Sequence, residues 1–278
     1  MLTDVIEYLI CPTCGADLEM NGGAVVCRRN HSFDVARQGY VNLLLGSGGA
    51  LGDASAMVEA REKFLGGGHF SSLARSVAHE VAGAANHSAG CVVDVGAGTG
   101  YYLGAALDSV PGRFGLALDA SRYAARRAAR CHERAGAIVC DVWATLPVRT
   151  DAAAVVVDIF APRNPVELSR ILMPGGRLIV VTPSGDHLRE LVTPLNLVTV
   201  DELKEQRLAA KLGAHFDLVR RTPIEFPMTL AHDDLESLVA MGPSAWHTDR
   251  AEIGRGIAAM PDPYAVTASV ALAVYEPR

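Results

Sequence analysis

Four side chains near the start of the chain have the types and spacing to hold a metal ion. Cys11-Pro12-Thr13-Cys14 offers two thiols, and Cys27-Arg28-Arg29-Asn30-His31 offers a third thiol and an imidazole. Together they make a closed Cys₃His shell, the donor set of a structural zinc. A full shell leaves no open position for a substrate, which argues against a catalytic metal. Four donors in this order are also poorly explained as packing cysteines. So short a segment has little core of its own, so Zn²⁺ binding would supply much of its folding free energy. The other three cysteines, Cys91, Cys131 and Cys140, fall in strand or helix patterns and read as packing residues.

A second constellation begins at Val93-Asp94-Val95-Gly96-Ala97-Gly98-Thr99-Gly100, which follows an apolar run and opens a helical one. Glycines in these places let the backbone turn tightly and approach a ligand closely. Such a string alone also serves nicotinamide enzymes, or a tight turn in any α/β protein. Its neighbours narrow the reading. Asp94 precedes the glycines inside the strand. Asp119 ends the next strand, where a carboxylate can accept both ribose hydroxyls. Cys140-Asp141-Val142 ends the third, where an adenine amino group can find Asp141. No Walker lysine or diphosphate-binding arginine is apparent. The combination of Asp94, Gly96, Gly98, Gly100, Asp119, Asp141 and Val142 looks like the S-adenosylmethionine site of a class I methyltransferase.

The elements that must position these groups are legible as a repeated strand, loop and helix. Apolar runs at 91–95, 114–118, 137–140, 153–159 and 177–181 predict strands, with a helix rich in alanine and arginine from Ser121. Such alternation implies a parallel sheet covered on both faces. Two more strands are predicted at 215–220 and 265–275, with a helical insertion over about 232–260 between them. Before the sheet, 57–65 and 73–85 read as helices. Asn21-Gly22-Gly23 reads as a hairpin turn between short strands, and Gly46-Ser47-Gly48-Gly49 as a linker. The expected organisation is a zinc-binding module at 1–45, a linker and helices at 46–90, and a catalytic domain at 91–278. The fold class is α/β, Rossmann-like, with a small N-terminal zinc ribbon.

The 278 residues are 50% hydrophobic and 20% charged, an ordinary globular balance, with a net charge of −6. That sign excludes nucleic-acid binding over the whole surface, so any RNA contact needs a local basic patch. Arg28-Arg29, Arg61 with Lys63, and Arg126-Arg127 with Arg130 are either such contacts or merely solvated faces. No apolar run approaches the ~20 residues of a membrane span. Met1-Leu2-Thr3-Asp4 lacks the basic start of a signal peptide, so a cytoplasmic protein without a membrane partner is expected.

Joined in this order, the pieces resemble the large-subunit (23S) ribosomal RNA guanine-N1 methyltransferases of RlmA type, a family that includes macrolide-resistance enzymes. The resemblance covers most of the chain. It runs through the zinc ligands and His31-Ser32-Phe33-Asp34-Val35-Ala36-Arg37-Gln38-Gly39-Tyr40-Val41-Asn42-Leu43-Leu44. It continues through Gly52-Asp53, Ala60-Arg61, Phe64-Leu65, Gly68-His69 and Gly98-Thr99-Gly100-Tyr101-Tyr102. Farther on come Ala161-Pro162, Pro174-Gly175-Gly176, His187-Leu188 and Pro243-Ser244-Ala245-Trp246. It implies zinc on Cys11, Cys14, Cys27 and His31, and S-adenosyl-L-methionine beside Phe70, Gly98, Thr99 and His187. It further implies a homodimer whose partner is a 23S rRNA hairpin near the peptide exit tunnel. Departures are Ala56 where glutamate is common, Phe70 and Phe160 where tyrosine is usual, Thr99 for a loop glutamate, and Gly242 for a threonine.

Methyl transfer to guanine N1 requires in-line alignment, exclusion of water and removal of the N1 proton. Asp53 and His187 are the candidate catalytic residues. Asp53 could instead cap the following helix, and His187 could contact only the cofactor. Trp246 either stacks on a flipped base or packs in the core. Arg61 either contacts RNA phosphate or pairs with Glu59 or Glu62 on its own helix. A methyltransferase acting on a small molecule, and a non-catalytic RNA-binding or assembly factor, are the competing readings.

Overall fold

The computed structural model describes residues 2–46, 52–197, 210–242 and 249–278. The predicted parallel strands form β5 (Cys91–Val95), β6 (Gly115–Asp119), β7 (Ala135–Val139), β8 (Ala153–Ile159) and β9 (Leu172–Pro183). Two long strands, β10 (Phe216–Leu230) and β11 (Tyr264–Pro277), pair antiparallel with each other, and β11 pairs antiparallel with β9. With β4 (Tyr40–Asn42) they make one eight-stranded sheet in the order β10-β11-β9-β8-β5-β6-β7-β4. Nearly every residue of β5 to β8 is buried, as strands covered on both faces must be.

One face carries α2 (Ser55–Gly66), α3 (Ser71–Ala84), α4 (Tyr101–Ser109) and α5 (Arg122–Ala128), which contribute Phe64, Leu73, Leu103 and Ala125 to a common core. The helices His232–Ala240 and Arg250–Ala258 add Leu235 and Ile257 to the same core. The other face carries α1 (Leu2–Val5) and α6 (Pro165–Ile171) against Leu116, Ile138 and Val156. No helix among the described residues is long and apolar enough to cross a membrane.

The N-terminal segment folds as a three-stranded ribbon of β1 (Leu18–Asn21), β2 (Ala24–Cys27) and β3 (Ser32–Asp34). Asn21 pairs with Ala24, which puts the hairpin turn at the predicted glycines. Its exit strand, inside the span expected as the zinc-binding module at 1–45, belongs to the main sheet. β4 pairs in parallel with β7, Val41 beside Ile138, and so becomes the rim of the main sheet. Ile10 N–H donates to the Pro147 carbonyl, Arg149 pairs with Asp17 at 2.7 Å, and Leu9, Leu18 and Val25 share a core with Leu116 and Ile138. The predicted linker at Gly46-Ser47-Gly48-Gly49 lies almost wholly outside the described residues.

The strand predicted at 215–220 extends to Leu230. Asp217 to Pro223 are exposed, whereas Ile224, Phe226, Met228 and Leu230 turn toward the core in alternation with Glu225, Pro227 and Thr229. At the sheet's edge a missing proline N–H is tolerated, and pairing with β11 sets the strand's length.

The N-terminal segment also meets the sheet closely where Val5 of α1 packs over Gly136 in β7. A Cβ at Gly136 would stand 2.3 Å from Val5 Cγ2. Gly136→Val is expected to cost about 1–3 kcal/mol of stability by overpacking this seam. Urea unfolding checks this, and an unchanged midpoint would show that α1 is not firmly seated.

Candidate functional site

Two tight turns build the metal centre. Gly15 at φ 69° returns its N–H to the Cys11 carbonyl at 2.8 Å. Asn30 at φ 64° does the same to Cys27 at 2.9 Å. Each turn thus brings a pair of donors to one point. Cys14 Sγ lies 3.7 Å from Cys27 Sγ, and His31 Nδ1 lies 3.4 Å from both Cys11 Sγ and Cys27 Sγ. All four donor atoms fall within 4.8 Å of one another. A zinc tetrahedron with metal–sulfur bonds of about 2.3 Å has sulfur–sulfur edges of about 3.8 Å. The donors therefore fit a closed structural zinc.

The second site lies where β5 meets β6 on one side and β8 on the other, the switch point at which α/β sheets bind ligands beyond their carboxyl ends. Gly96 turns the chain at φ 74°, and a Cβ there would stand 2.5 Å from the Ala161 side chain, so only glycine fits. The N–H groups of Gly96 and Ala97 both donate to the Leu118 carbonyl. Gly98 N–H donates to Asp119 Oδ2 at 2.8 Å, Ser121 N–H donates to Asp119 Oδ1 at 2.7 Å, and Gly100 caps α4. Burial pushes the Asp119 carboxyl up, while these two backbone bonds pull it down. Each oxygen accepts one N–H here and keeps capacity for a hydroxyl.

Asp94 Oδ2 is buried with no hydrogen-bond partner among the described residues. Burial, then the nearby Asp158 and Asp119, push its carboxyl up to about 8. An unsatisfied acidic group in this position fits a ligand that brings a cation or a donor. Asp141 follows β7 and accepts Trp143 N–H at 2.9 Å, with Val142 buried beside it, while Thr99 is half-buried in the loop. These groups fit a nucleoside with a charged tail, as S-adenosylmethionine is.

Asp53 and Arg61 are brought together here, and neither takes the local role weighed from sequence. The N-cap of α2 is Ala54, with no side-chain bond, so Asp53 does not cap the helix. Its carboxylate instead holds the Arg61 guanidinium. Arg61 is correspondingly not the partner of Glu59 or Glu62, which lie beside Arg127. Arg61 also donates to the Met241 carbonyl at 3.0 Å. Its Cδ would stand 3.3 Å from a Cβ at Gly98, so the side chain lies on the glycine loop. Lys63 pairs with Asp233 at 3.5 Å, whereas Arg28, Arg29, Arg126 and Arg130 are exposed.

His187 is half-buried, and that burial lowers its imidazole below the ordinary value. Its Nδ1 lies 3.0 Å from Ser269 O and 3.2 Å from Ser269 N, and its ring lies 5.9 Å from that of Phe160. Phe160 directly follows β8 at φ 55° and is 42% exposed. Phe70 is 2% exposed, and its ring packs edge-on against Phe64 and Phe226. Trp246 lies outside the described residues.

Sequence reasoning missed Trp143, 57% exposed beside Asp141, although its place just after that strand end was a usable signal. It also missed the buried ion pair of Asp158 with Arg163 at 2.9 Å, which ties β8 to the loop after Phe160. No local pattern announces that pair.

Residues 9–45 match the family described as the N-terminal zinc ribbon of RlmA. Over the full chain and 99% of the relative's length, the sequence is 47% identical to the 23S rRNA (guanine(748)-N(1))-methyltransferase of Streptomyces fradiae. The chain belongs to the 23S rRNA (guanine-N1)-methyltransferase family. A putative member from Micromonospora griseorubida is 45% identical over the whole length of both chains. Among solved structures, a S-adenosylmethionine-dependent methyltransferase from Thiobacillus denitrificans in complex with S-adenosyl-L-homocysteine is 18% identical. That likeness covers 73% of this chain and 91% of that one, with a TM-score of 0.46. In this family member the Rossmann-like domain is that of a S-adenosylmethionine-dependent methyltransferase, and the ribbon is its zinc-binding part.

Two outcomes follow. Because ribbon and sheet share a core, removing zinc with a strong chelator, or by Cys14→Ser, should lower the melting temperature of the whole chain in one transition. A second, unshifted transition would show that the ribbon unfolds alone. For Asp94, the folded value of about 8 stands above the ordinary 3.8. The stability it contributes is present below that ordinary value and is lost as pH rises through the folded one. The stability advantage of Asp94→Asn over wild type should therefore grow from pH 5 to pH 8 and level off above, read from apoprotein melts. A pH-independent difference would refute the buried neutral carboxyl.

Proposed function

We propose that this protein transfers the methyl group of S-adenosylmethionine to N1 of a guanine in a 23S rRNA hairpin near the exit tunnel. The observation that carries this is the 47% identity, end to end, with the guanine(748)-N1 enzyme. On this reading Asp119 accepts the ribose hydroxyls, and Asp141 with Val142 receives the adenine. Asp94, Gly96, Gly98, Thr99 and Gly100 line the donor's path.

When bound, the donor supplies a methyl carbon already activated by its sulfonium. The protein's task is to place N1 in line and take its proton as the nitrogen–carbon bond forms and the sulfur–carbon bond breaks. His187 suits that step better than Asp53, whose carboxylate is occupied by Arg61. Nδ1 faces both the carbonyl and the N–H of Ser269, and in the tautomer whose Nδ1–H donates to that carbonyl Nε2 presents a lone pair to the N1 proton. Its burial keeps the imidazole neutral and ready to accept. Arg28 and Arg29 on the ribbon, with Arg126 and Arg130 on α5, offer exposed charge to RNA phosphates. The reading extends to a cytoplasmic homodimer that protects ribosomes against an exit-tunnel macrolide.

Purified protein incubated with labelled donor and 23S rRNA should label the RNA and create one primer-extension stop at a guanine, because N1 methylation blocks the pairing edge. Label confined to small molecules of a cell extract would overturn the proposal. His187→Ala should lower kcat by about 10²–10⁴-fold with little change in donor affinity. An unaltered rate would remove His187 from proton transfer.

A further inference from the structure

Resting on the methyl-donor reading above, we infer that Asp53 and Arg61 form a device that reads the amino-acid end of the donor. Arg61 takes the α-carboxylate and Asp53 the α-ammonium. The strand order gives the direction. Asp141 follows β7 and Asp119 ends β6, so a nucleoside seated on them runs from β7 to β6. Its tail then continues over the end of β5, where the glycine loop lies. Arg61 rests on that loop at Gly98, and Asp53 holds Arg61.

The pair is fixed rather than a chance surface contact. Gly52 approaches the turn after β6 so closely that a Cβ there would stand 2.4 Å from Ser121 N. The Asp53 carbonyl accepts Ser121 Oγ at 2.6 Å, and Ser121 N–H is itself held by Asp119. Asp53 is thereby built onto the same turn that carries the ribose-binding carboxylate. Arg61 is anchored from the other side by the Met241 carbonyl. Among the described residues it uses two of its five N–H donors, which leaves three for a second carboxylate. Asp53 likewise accepts through Oδ2 and keeps Oδ1 for an ammonium. An amino-acid zwitterion complements this arrangement of one anion and one cation, whereas a lone phosphate would meet the Asp53 charge.

Calorimetric titration with three ligands tests the assignment. S-adenosylhomocysteine carries both charged groups, decarboxylated S-adenosylmethionine keeps only the ammonium of its tail, and 5′-methylthioadenosine lacks the tail. Arg61→Met should weaken S-adenosylhomocysteine roughly 10- to 100-fold and leave the other two ligands unchanged. Asp53→Asn should weaken both ligands that carry the ammonium and spare 5′-methylthioadenosine. Arg61→Lys, which keeps the charge but not the fork, should restore part of the loss. Equal weakening of all three ligands by Arg61→Met would reduce Arg61 to a scaffold, and unchanged S-adenosylhomocysteine affinity would overturn the assignment outright. Binding of 5′-methylthioadenosine also reports that each variant is folded. Wild-type protein that bound none of the three would overturn the methyl-donor reading, and this assignment with it.

Discussion

The carboxylate of Asp119 fixes the relation between the ends of β5 and β6 by accepting one backbone N–H from each side, Gly98 and Ser121. Everything else at the site is referred to that carboxylate. Ser121, so held, caps α5 with its hydroxyl oxygen and donates that hydroxyl to the Asp53 carbonyl. Asp53 then holds Arg61 of α2, which lies back on Gly98. A chain of hydrogen bonds and one ion pair, closed by the contact of the Arg61 side chain with Gly98, therefore runs through loop, strand end, preceding segment and helix. Such circuits pre-organise a site before its ligand arrives, because each group's freedom is already spent.

Against that polar circuit stands the unsatisfied Asp94, buried one strand away. A folded protein seldom leaves a buried carboxyl oxygen without a partner unless the site is completed from outside. The apoprotein carries Asp94 neutral, at a cost in stability that grows with pH. Affinity for a cationic ligand and strain in its absence are in this way two aspects of one residue.

Much of this was legible in the sequence. The zinc ligands were readable because ligand spacing is local, and the knuckle turns lie inside the motif. The strands β5 to β8 were readable because burial on both faces makes them continuous apolar runs. Asp119 and Asp141 followed from their places at strand ends. What escaped depends on contacts between distant residues. The pairing of Asp53 with Arg61 is set by a segment docking on Ser121, and no spacing on α2 reveals it. The parallel pairing of β4 with β7 rests on a three-residue strand too short to show a period. The first half of β10, exposed at every position from Asp217 to Pro223, takes its length from pairing with β11, whereas the alternation from Ile224 to Leu230 was there to be read.

The weld of ribbon to sheet also orders events during synthesis. The ribbon's structural partners, Ile138 beside Val41 and Val148 beside Leu9, leave the ribosome about a hundred residues after it does. Until then the apolar side chains of Leu9, Leu18 and Val25 have no sheet to cover them. The metal knuckles, in contrast, close within a stretch of the nascent chain that is already complete at His31. Zinc thus gives the emerging N-terminus a local fold of its own, one that holds a sticky face in place while the rest of the domain is still being made.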